Sequence, residues 1–120
     1  MRAAGPWLCT TPKLVSPVVD LNHLTSIPGL NHVDDVLIAL GTTIKAAGSQ
    51  QAFKAVDFEA ILAVAGVSKR LGATKLGVIS AMGADAASRV FYNRIKGEME
   101  AALGQLGYSA LTIARPLPFL

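Results

Sequence analysis

The 120-residue sequence contains a single cysteine, Cys9, and therefore cannot form an internal disulfide. Such sparse cysteine usage is typical of a protein from a reducing compartment. No stretch approaches the roughly 18 consecutive apolar residues that a membrane-spanning helix needs. The first residues also lack a continuous apolar core of signal-peptide length, because prolines and threonines interrupt them. These absences predict a cytoplasmic protein with no export signal and no membrane contact.

The excess of basic over acidic residues is also small. Lysine and arginine number 11 against 8 aspartates and glutamates, and the basic residues are scattered along the chain. We therefore expect no nucleic-acid partner. Hydrophobic residues make up 52% of the chain, which is ample for a core and excludes a disordered segment. The length predicts a single domain over residues 1–120, with 1–12, which contain two prolines, as an irregular lead-in.

Short apolar segments alternate with amphipathic ones. Val36 to Leu40 is a continuous apolar run, which predicts a strand buried on both faces, and Leu76 to Ile79 predicts a second buried strand. Between them, apolar residues recur at three- and four-residue steps from Gln51 to Leu71. This period predicts one long helix, capped by Ser49 and stopped by Gly72. A strand, a helix and a strand in this order favour parallel strands.

The remaining segments extend the same pattern. We predict an edge strand at Leu14–Val19, a helical turn and loop at Leu21–Asp34, a helix from Asp85 or Ser88 to about Leu106, and a strand at Tyr108–Ala114. The first of these is an edge strand because Pro17 interrupts it. Together the elements predict an α/β fold. It has a mostly parallel sheet of three or four strands with flanking helices.

Tyr92 and Lys96 lie four residues apart in the second predicted helix, so their side chains leave the same face one turn apart. An ammonium beside a phenol favours the phenolate, which lowers the tyrosine pKa from about 10 toward the range of a proton donor or acceptor. Ser80, at the end of the preceding strand, could point at the same place. The alternative is that Tyr92 and Lys96 are an ordinary aromatic residue and a solvated charge, since short patterns recur by chance.

Small and polar residues, Gly41, Thr42 and Thr43, follow the first predicted buried strand. Ligands of open α/β sheets bind at the carboxyl ends of the strands, so these residues are candidates for ligand contact. A tight strand exit is the alternative. A metal site is not predicted, because His23 and His32 have no cysteine or paired carboxylates arranged around them. We expect both histidines on the surface.

Four landmarks occur in one order along the chain: LGTT at Leu40–Thr43, VISAMGAD at Val78–Asp85, YNRIK at Tyr92–Lys96 and ARP at Ala114–Pro116. Together with KAVDFEAIL and KGEMEAAL, they closely resemble the atypical branch of the short-chain dehydrogenase/reductase family. The resemblance is particularly to its NAD(P)H-binding, Tat-interacting-protein-like and epimerase-like members. The resemblance covers the chain from about Lys13 to Pro116.

The resemblance implies a partial Rossmann-like three-layer domain that binds NADP or NAD and moves a hydride to or from a carbonyl or alcohol carbon of a small-molecule substrate. Tyr92 would be the catalytic acid or base. Lys96 would lower the pKa of Tyr92 and reach the nicotinamide ribose. Ser80 would orient the substrate, although family members often have a second serine beside it, where this chain has Ala81.

The resemblance also implies a set of cofactor contacts. Asp20 and Leu21 would lie near the adenine, Gly41, Thr42 and Thr43 would run along the cofactor with Tyr92 and Lys96, and Pro116 and the segment after it would pass the nicotinamide. For Asp20, a turn or cap at the end of a strand is an alternative to cofactor contact. We expect Arg115 to be a structural ion-pair partner without a catalytic role.

The sequence departs from the family in its N-terminal part, because it contains no GxGxxG motif. In the family, a strand, a glycine-rich turn and a helix hold the pyrophosphate. The landmarks place the start of this chain after the family's second strand. Either the strand at Leu14 then packs against the strand at Val36, or an apolar edge is left open to pair with another chain, so that we expect the chain alone to be oligomeric or poorly folded. The alternatives to an oxidoreductase are therefore a non-catalytic NAD(P)H-binding or protein-interaction module and a truncated, inactive family member.

Overall fold

The computed structural model describes residues 13–116, so the predicted lead-in at 1–12 lies outside the described residues. The elements, in chain order, are a 3-10 turn (Leu21–His23), β1 (Asp35–Ile38), α1 (Ile44–Ala47), α2 (Gln50–Lys54), a π-helical segment (Ala55–Ala60), α3 (Ile61–Arg70), β2 (Lys75–Ile79), α4 (Phe91–Gly104) and β3 (Ala110–Ala114). No helix within 13–116 is long and apolar enough to cross a bilayer.

The three strands form one parallel sheet in the order β1-β2-β3. Val36 pairs with Leu76, which in turn pairs with Leu111, so the apolar positions of neighbouring strands lie side by side. Parallel strands need a crossover between them, and the two helical stretches at 50–70 and 91–104 provide the crossovers. The predicted α/β fold with parallel strands and flanking helices is confirmed.

The helices cover one face of the sheet. The core lies between this face, α3 and α4, and its buried members are Val36, Ile38, Ile61, Ala65, Ala73, Leu76, Val78, Met99 and Leu103. On the other face, Leu37 is 87% exposed and Ile79 is 44% exposed. The prediction that the first strand is buried on both faces was therefore wrong, because among the described residues no helix packs on its second face.

The open face and the free edge of β1 bear on self-association. Within 13–116, β1 pairs only with β2, so its other edge carries backbone groups without strand partners. Such an edge, beside an apolar side chain as exposed as Leu37, favours pairing with another chain. Association through this edge remains a prediction, and light scattering over a range of protein concentrations tests it. A monodisperse monomer would contradict it.

The helical stretch from Gln50 to Arg70 agrees with the predicted long helix. The Ser49 hydroxyl accepts a hydrogen bond from the Ala52 N–H at 3.0 Å, as an N-cap does. Gly72, with φ of +105°, stops the helix in a left-handed conformation. The apolar period did not reveal the π-helical segment in the middle, because a π-helical insertion changes the hydrogen-bond ladder without breaking the helix.

The predicted start of the second helix was wrong. The second helix begins at Phe91, and neither Asp85 nor Ser88 caps it. The Asp85 carboxylate accepts from the Ala87 N–H, and the Ser88 hydroxyl accepts from the Val90 N–H. Both side chains therefore close turns in the loop before the helix, since a short acceptor can satisfy a nearby amide in either setting.

The predicted edge strand at Leu14–Val19 was also wrong. These residues form no strand, and Val15 is 68% exposed. A strand needs a neighbour to satisfy its backbone, and the segment pairs with none of the described strands. The helical turn and loop predicted for Leu21–Asp34 are confirmed, with Asp20 capping the turn through the Asn22 N–H.

Candidate active site

The site forms where the parallel strands end and α4 begins. Tyr92, Lys96 and Glu100 lie at four-residue steps along α4 and therefore share one face of the helix. Two buried carboxylates at this face, Asp57 and Glu100, each bind one cation and one donor from the residues that follow a strand. The contacts of these two carboxylates define the site.

Asp57 lies within the π-helical segment and is fully buried. Its Oδ1 accepts a hydrogen bond from the Thr42 N–H at 2.9 Å, just after β1. Its Oδ2 lies 2.5 Å from Lys96 Nζ, in an ion pair whose side chains are 0% and 5% exposed. A Cβ at Gly41 would lie 3.7 Å from Oδ2 and 4.0 Å from Nζ, so the backbone after β1 runs directly beside the pair.

Tyr92 lies one helical turn before Lys96, and the predicted sharing of a face is observed. The Lys96 ammonium is 5.6 Å from the centroid of the Tyr92 ring. The Tyr92 ring also packs against the Phe53 ring, and their centroids are 5.3 Å apart. Tyr92 is half-buried. The ammonium is therefore close to the aromatic ring while it is bound by a carboxylate.

Glu100 binds the ends of β2 and β3. The Ser80 hydroxyl donates to Glu100 Oε2 at 2.5 Å, and the Arg115 guanidinium binds both carboxylate oxygens through Nε and Nη2. Burial alone would raise the pKa of Glu100, but the hydrogen bonds from Arg115 and Ser80, with the charges of Arg115 and Lys96, outweigh it and hold the pKa below its ordinary value. The expected role of Arg115 as an ion-pair partner is confirmed.

The position of Ser80 limits what its hydroxyl can do. Because Glu100 is ionised, the serine must supply the proton of their hydrogen bond. The side chain is also buried, at 5% exposure. Ser80 therefore lies near the Tyr92 helix as expected, but its only proton points to Glu100. The orientation of a substrate by Ser80 stays a prediction.

The other predicted contacts divide into two groups. Gly41 and Thr42 lie beside the Asp57–Lys96 pair, whereas the Thr43 hydroxyl accepts from the Ala46 N–H and caps α1. Leu21 lies apart from this pair, in the turn capped by Asp20, where the turn residues and the helix residues Ala55, Glu59 and Ala63 line a shallow cavity. Pro116, the last described residue, is exposed. His23 and His32 are exposed as predicted.

Sequence reasoning missed Asp57 and Glu100 as site residues. The available signal was an acidic residue on an apolar helix face: Asp57 lies four residues after Phe53 and four before Ile61, both fully buried. Glu100 similarly follows Lys96 and lies next to the buried Met99. Charged residues are rarely buried without a partner, so an acid on such a face indicates a cation elsewhere in the fold.

The residues present fit NADP or NAD only in part. Tyr92 and Lys96 lie at the carboxyl edge of the sheet, where a nicotinamide would be presented. The sequence has no glycine-rich turn to receive the pyrophosphate, and the Thr42 N–H after β1 is already donated to Asp57. Within residues 13–116, the site thus resembles the nicotinamide end of such a pocket, and these residues form no phosphate-binding end beside it.

The parallel sheet, the crossover helices and the Tyr92–Lys96 pair at its carboxyl edge define the class as a partial Rossmann-like α/β domain. No family model matches the sequence. The chain is similar to the mitochondrial fmp52 protein of Emericella nidulans, with 36% identity over 97 residues, and to protein HTATIP2 of Rattus norvegicus, with 34% identity over 100 residues. The FMP52 protein of Candida albicans is 37% identical over 83 residues.

These alignments cover 81%, 82% and 69% of this chain, respectively, but only 40%, 41% and 36% of the relatives. The chain therefore spans about two fifths of the length of the curated relatives it matches. Within that part, homology to FMP52 and HTATIP2 proteins supports the resemblance to NAD(P)-binding atypical short-chain dehydrogenase/reductases drawn from the landmarks. The alignments do not identify a substrate or a catalytic residue.

The comparison overturns the predicted cytoplasmic location. Several of the relatives are named as mitochondrial proteins. The prediction was wrong because its basis, a single cysteine and the lack of a secretory signal, does not distinguish the cytosol from the interior of an organelle. Mitochondrial import also uses amphipathic leaders that differ from secretory signals.

Proposed function

We propose that this chain is the part of an NAD(P)-binding, short-chain dehydrogenase/reductase-type oxidoreductase that carries the proton-transfer residue, Tyr92. The observation that carries the proposal is the placement of Tyr92 and Lys96 on one face of α4, at the carboxyl edge of a parallel sheet. Homology to FMP52 and HTATIP2 proteins supports the family assignment. The substrate is a small molecule with a carbonyl or alcohol group.

In this proposal the nicotinamide, when bound, supplies or accepts the hydride. The phenol of Tyr92 donates a proton to the carbonyl oxygen of the substrate and becomes the phenolate, and in the reverse direction the phenolate accepts the proton of the alcohol. The Asp57–Lys96 pair fixes the position of the ammonium beside the tyrosine ring. Phe53 packs against the same ring and limits its movement.

A second candidate function is a nucleotide-binding or protein-interaction module without turnover. One observation favours it: buried carboxylates bind both Lys96 and Ser80. The resemblance to the family gives these two residues, together with Tyr92, the catalytic roles. Lys96 and Ser80 are also buried, at 4% and 5% exposure, so neither is presented to a ligand in this arrangement. The fold alone does not separate the two functions.

Calorimetric titration with NADPH and NADH, followed by an activity screen with carbonyl substrates, tests the proposal. We expect saturable binding, and turnover that Tyr92→Phe abolishes without weakening binding. Tyr108→Phe is the matched control, because Tyr108 bonds the Ala65 carbonyl on the far part of the core and should not affect turnover. Binding without turnover in the unmodified chain would favour the second function, and no binding at millimolar cofactor would contradict both nucleotide-binding functions.

The names of the relatives extend the proposal to location. We propose a mitochondrial protein, supported by the several mitochondrial FMP52 relatives. Fractionation of cells that express the natural protein should recover it with mitochondria. Recovery in the cytosol alone would contradict this location.

A further inference from the structure

We infer that Asp57 is a positioning residue that restrains Lys96, so that Tyr92 faces an ion pair of zero net charge instead of a free ammonium. The inference rests on the proposed function, in which Lys96 assists Tyr92. It adds a residue that the sequence patterns did not indicate and assigns it an electrostatic role. The test below needs neither cofactor nor turnover, so it can fail independently of the proposed function.

The geometry comes from two helical stretches that face each other with the same spacing. Phe53 and Asp57 are four residues apart on one stretch, and Tyr92 and Lys96 are four apart on the other. Phe53 contacts Tyr92 ring to ring, and Asp57 contacts Lys96 at 2.5 Å. The ionic contact is therefore adjacent to the aromatic one, one turn further along both helices.

Both oxygens of Asp57 are engaged, and water does not reach the pair. Oδ1 accepts from the Thr42 N–H, Oδ2 faces Lys96, and the two charged side chains are 0% and 5% exposed. If Lys96 moved away, Oδ2 would be left buried without a counter-charge, which is strongly unfavourable. Asp57 also lies within the π-helical segment, and such insertions occur frequently at functional sites.

The charge on Asp57 determines the electrostatic field at Tyr92. A lone ammonium near the ring would favour the phenolate, but a carboxylate at 2.5 Å from that ammonium cancels most of its field. Among the other charged groups near the aromatic rings, Glu100 of α4 and Arg115 after β3 are paired with each other, and the Arg94 guanidinium lies over the Phe91 ring at 5.3 Å. Ser80 after β2 and Gly41 and Thr42 after β1 carry no charge. Asp57 is thus the group whose removal would leave net positive charge beside the phenol.

Chemical modification of the phenol tests the inference. N-acetylimidazole acetylates tyrosine through the phenolate, and mass spectrometry of the peptides measures the rate at Tyr92 and Tyr108 separately. The wild-type chain is compared with Asp57→Asn, Lys96→Gln, the double variant of these two and Asp57→Glu, all at one mildly alkaline pH. The temperature is kept below the lowest melting midpoint of the five proteins.

The expected rates at Tyr92 follow the local charge. Asp57→Asn, which leaves the ammonium unbalanced, should accelerate acetylation several-fold, and Lys96→Gln, which leaves the carboxylate unbalanced, should slow it several-fold. The double variant should return close to the wild-type rate, and Asp57→Glu, which keeps the charge, should resemble wild type. Tyr108 is the internal control, because its hydroxyl donates to the Ala65 carbonyl and burial raises its pKa.

Two outcomes would overturn the inference. An unchanged or slower rate at Tyr92 in Asp57→Asn, with Tyr108 unaffected, would show that Asp57 does not balance the ammonium. Acceleration in all three charge variants, with Tyr108 following Tyr92, would show that Asp57 only holds the fold together. Opposite effects of the two single variants at a constant Tyr108 rate support the inference, whether or not the chain binds NADPH.

Discussion

Asp57 and Glu100 bind similar partners in different surroundings. Each carboxylate holds one cation and one donor from a strand exit, namely Lys96 with the Thr42 N–H for Asp57, and Arg115 with the Ser80 hydroxyl for Glu100. The Asp57–Lys96 pair is buried on both sides, whereas Arg115 is 51% exposed. Water and salt therefore reach the second pair and not the first.

Because of this difference in exposure, the two carboxylates contribute differently to stability and to the positioning of their partners. A fully buried pair is not a strong source of net stability, but removal of one partner is costly because the other remains charged and dry. A pair with an exposed arginine tolerates change, because water replaces the lost partner. The Asp57 contact is therefore suited to fixing Lys96 beside Tyr92, and the Glu100 contact to joining α4 to the ends of β2 and β3.

The largest effect should come from Lys96→Met. It leaves the Asp57 carboxylate buried with only the Thr42 N–H, and we expect a loss of about 3–5 kcal/mol in the free energy of unfolding. Urea denaturation measures this as a lower midpoint at an unchanged slope. The double variant Asp57→Asn/Lys96→Met should recover most of the loss. A loss below about 1 kcal/mol, of the size seen for exposed pairs, would show that the two carboxylates do not differ in this way.

Glu100→Gln should have a smaller effect, of about 1.5–3 kcal/mol, because it removes the charge that accepts three hydrogen bonds from Arg115 and Ser80 while it keeps the size of the side chain. The pKa of Glu100 is lowered in the folded protein, so the stabilisation is present above the ordinary pKa of 4.5 and is lost as the pH falls through the lower, folded value. Unfolding at pH 7 and at successively lower pH checks the sign. The wild-type chain should lose more stability on acidification than Glu100→Gln, and equal losses would contradict the assignment.

Ser80→Ala should cost about 1 kcal/mol, because Arg115 still binds the Glu100 carboxylate when the serine donor is lost. Ser109→Ala is the matched control, since Ser109 is exposed and only its backbone N–H is bonded, to the Thr74 carbonyl. Thermal melting of the two variants compares them directly. If Ser80→Ala destabilised the chain as much as Glu100→Gln, the serine rather than the arginine would be the main partner of Glu100.

Salt should have the smallest effect and should act on one pair only. Raising the ionic strength screens the half-exposed Arg115 but not the buried Lys96. Melting midpoints in low and high salt should therefore fall slightly for the wild-type chain and less for Glu100→Gln. A fall of equal size in both proteins would show that the Arg115 contact is not the salt-sensitive one.

Local patterns were sufficient to predict much of the fold and part of the site. The apolar period placed the helical stretch at 50–70, its cap at Ser49 and its stop at Gly72, because these depend on neighbours within one or two turns. The four-residue spacing placed Tyr92 and Lys96 on one face for the same reason. The start of α4 was misplaced, because Asp85 can serve a turn as well as a cap.

Other features could not be predicted because they depend on which elements meet. Leu37 belongs to an apolar run typical of a fully buried strand, yet it is 87% exposed, since burial requires a second layer that the described residues do not form. Leu14–Val19 has the composition of a strand but no strand beside it. Composition indicates what a segment can form, and the neighbouring elements decide whether it does.

The amino-acid sequence by itself determined the alternation of strands and helices, the parallel arrangement and the common face of Tyr92 and Lys96. These features follow from the spacing of residues along the chain, because the periods of a helix and a strand fix which side chains share a face. Only the tertiary structure decided that Lys96 binds Asp57, that Ser80 donates to Glu100 and that the described residues leave one sheet face open. Those outcomes join residues far apart in the chain. They follow from which buried charges can find a partner once the helices pack on the sheet.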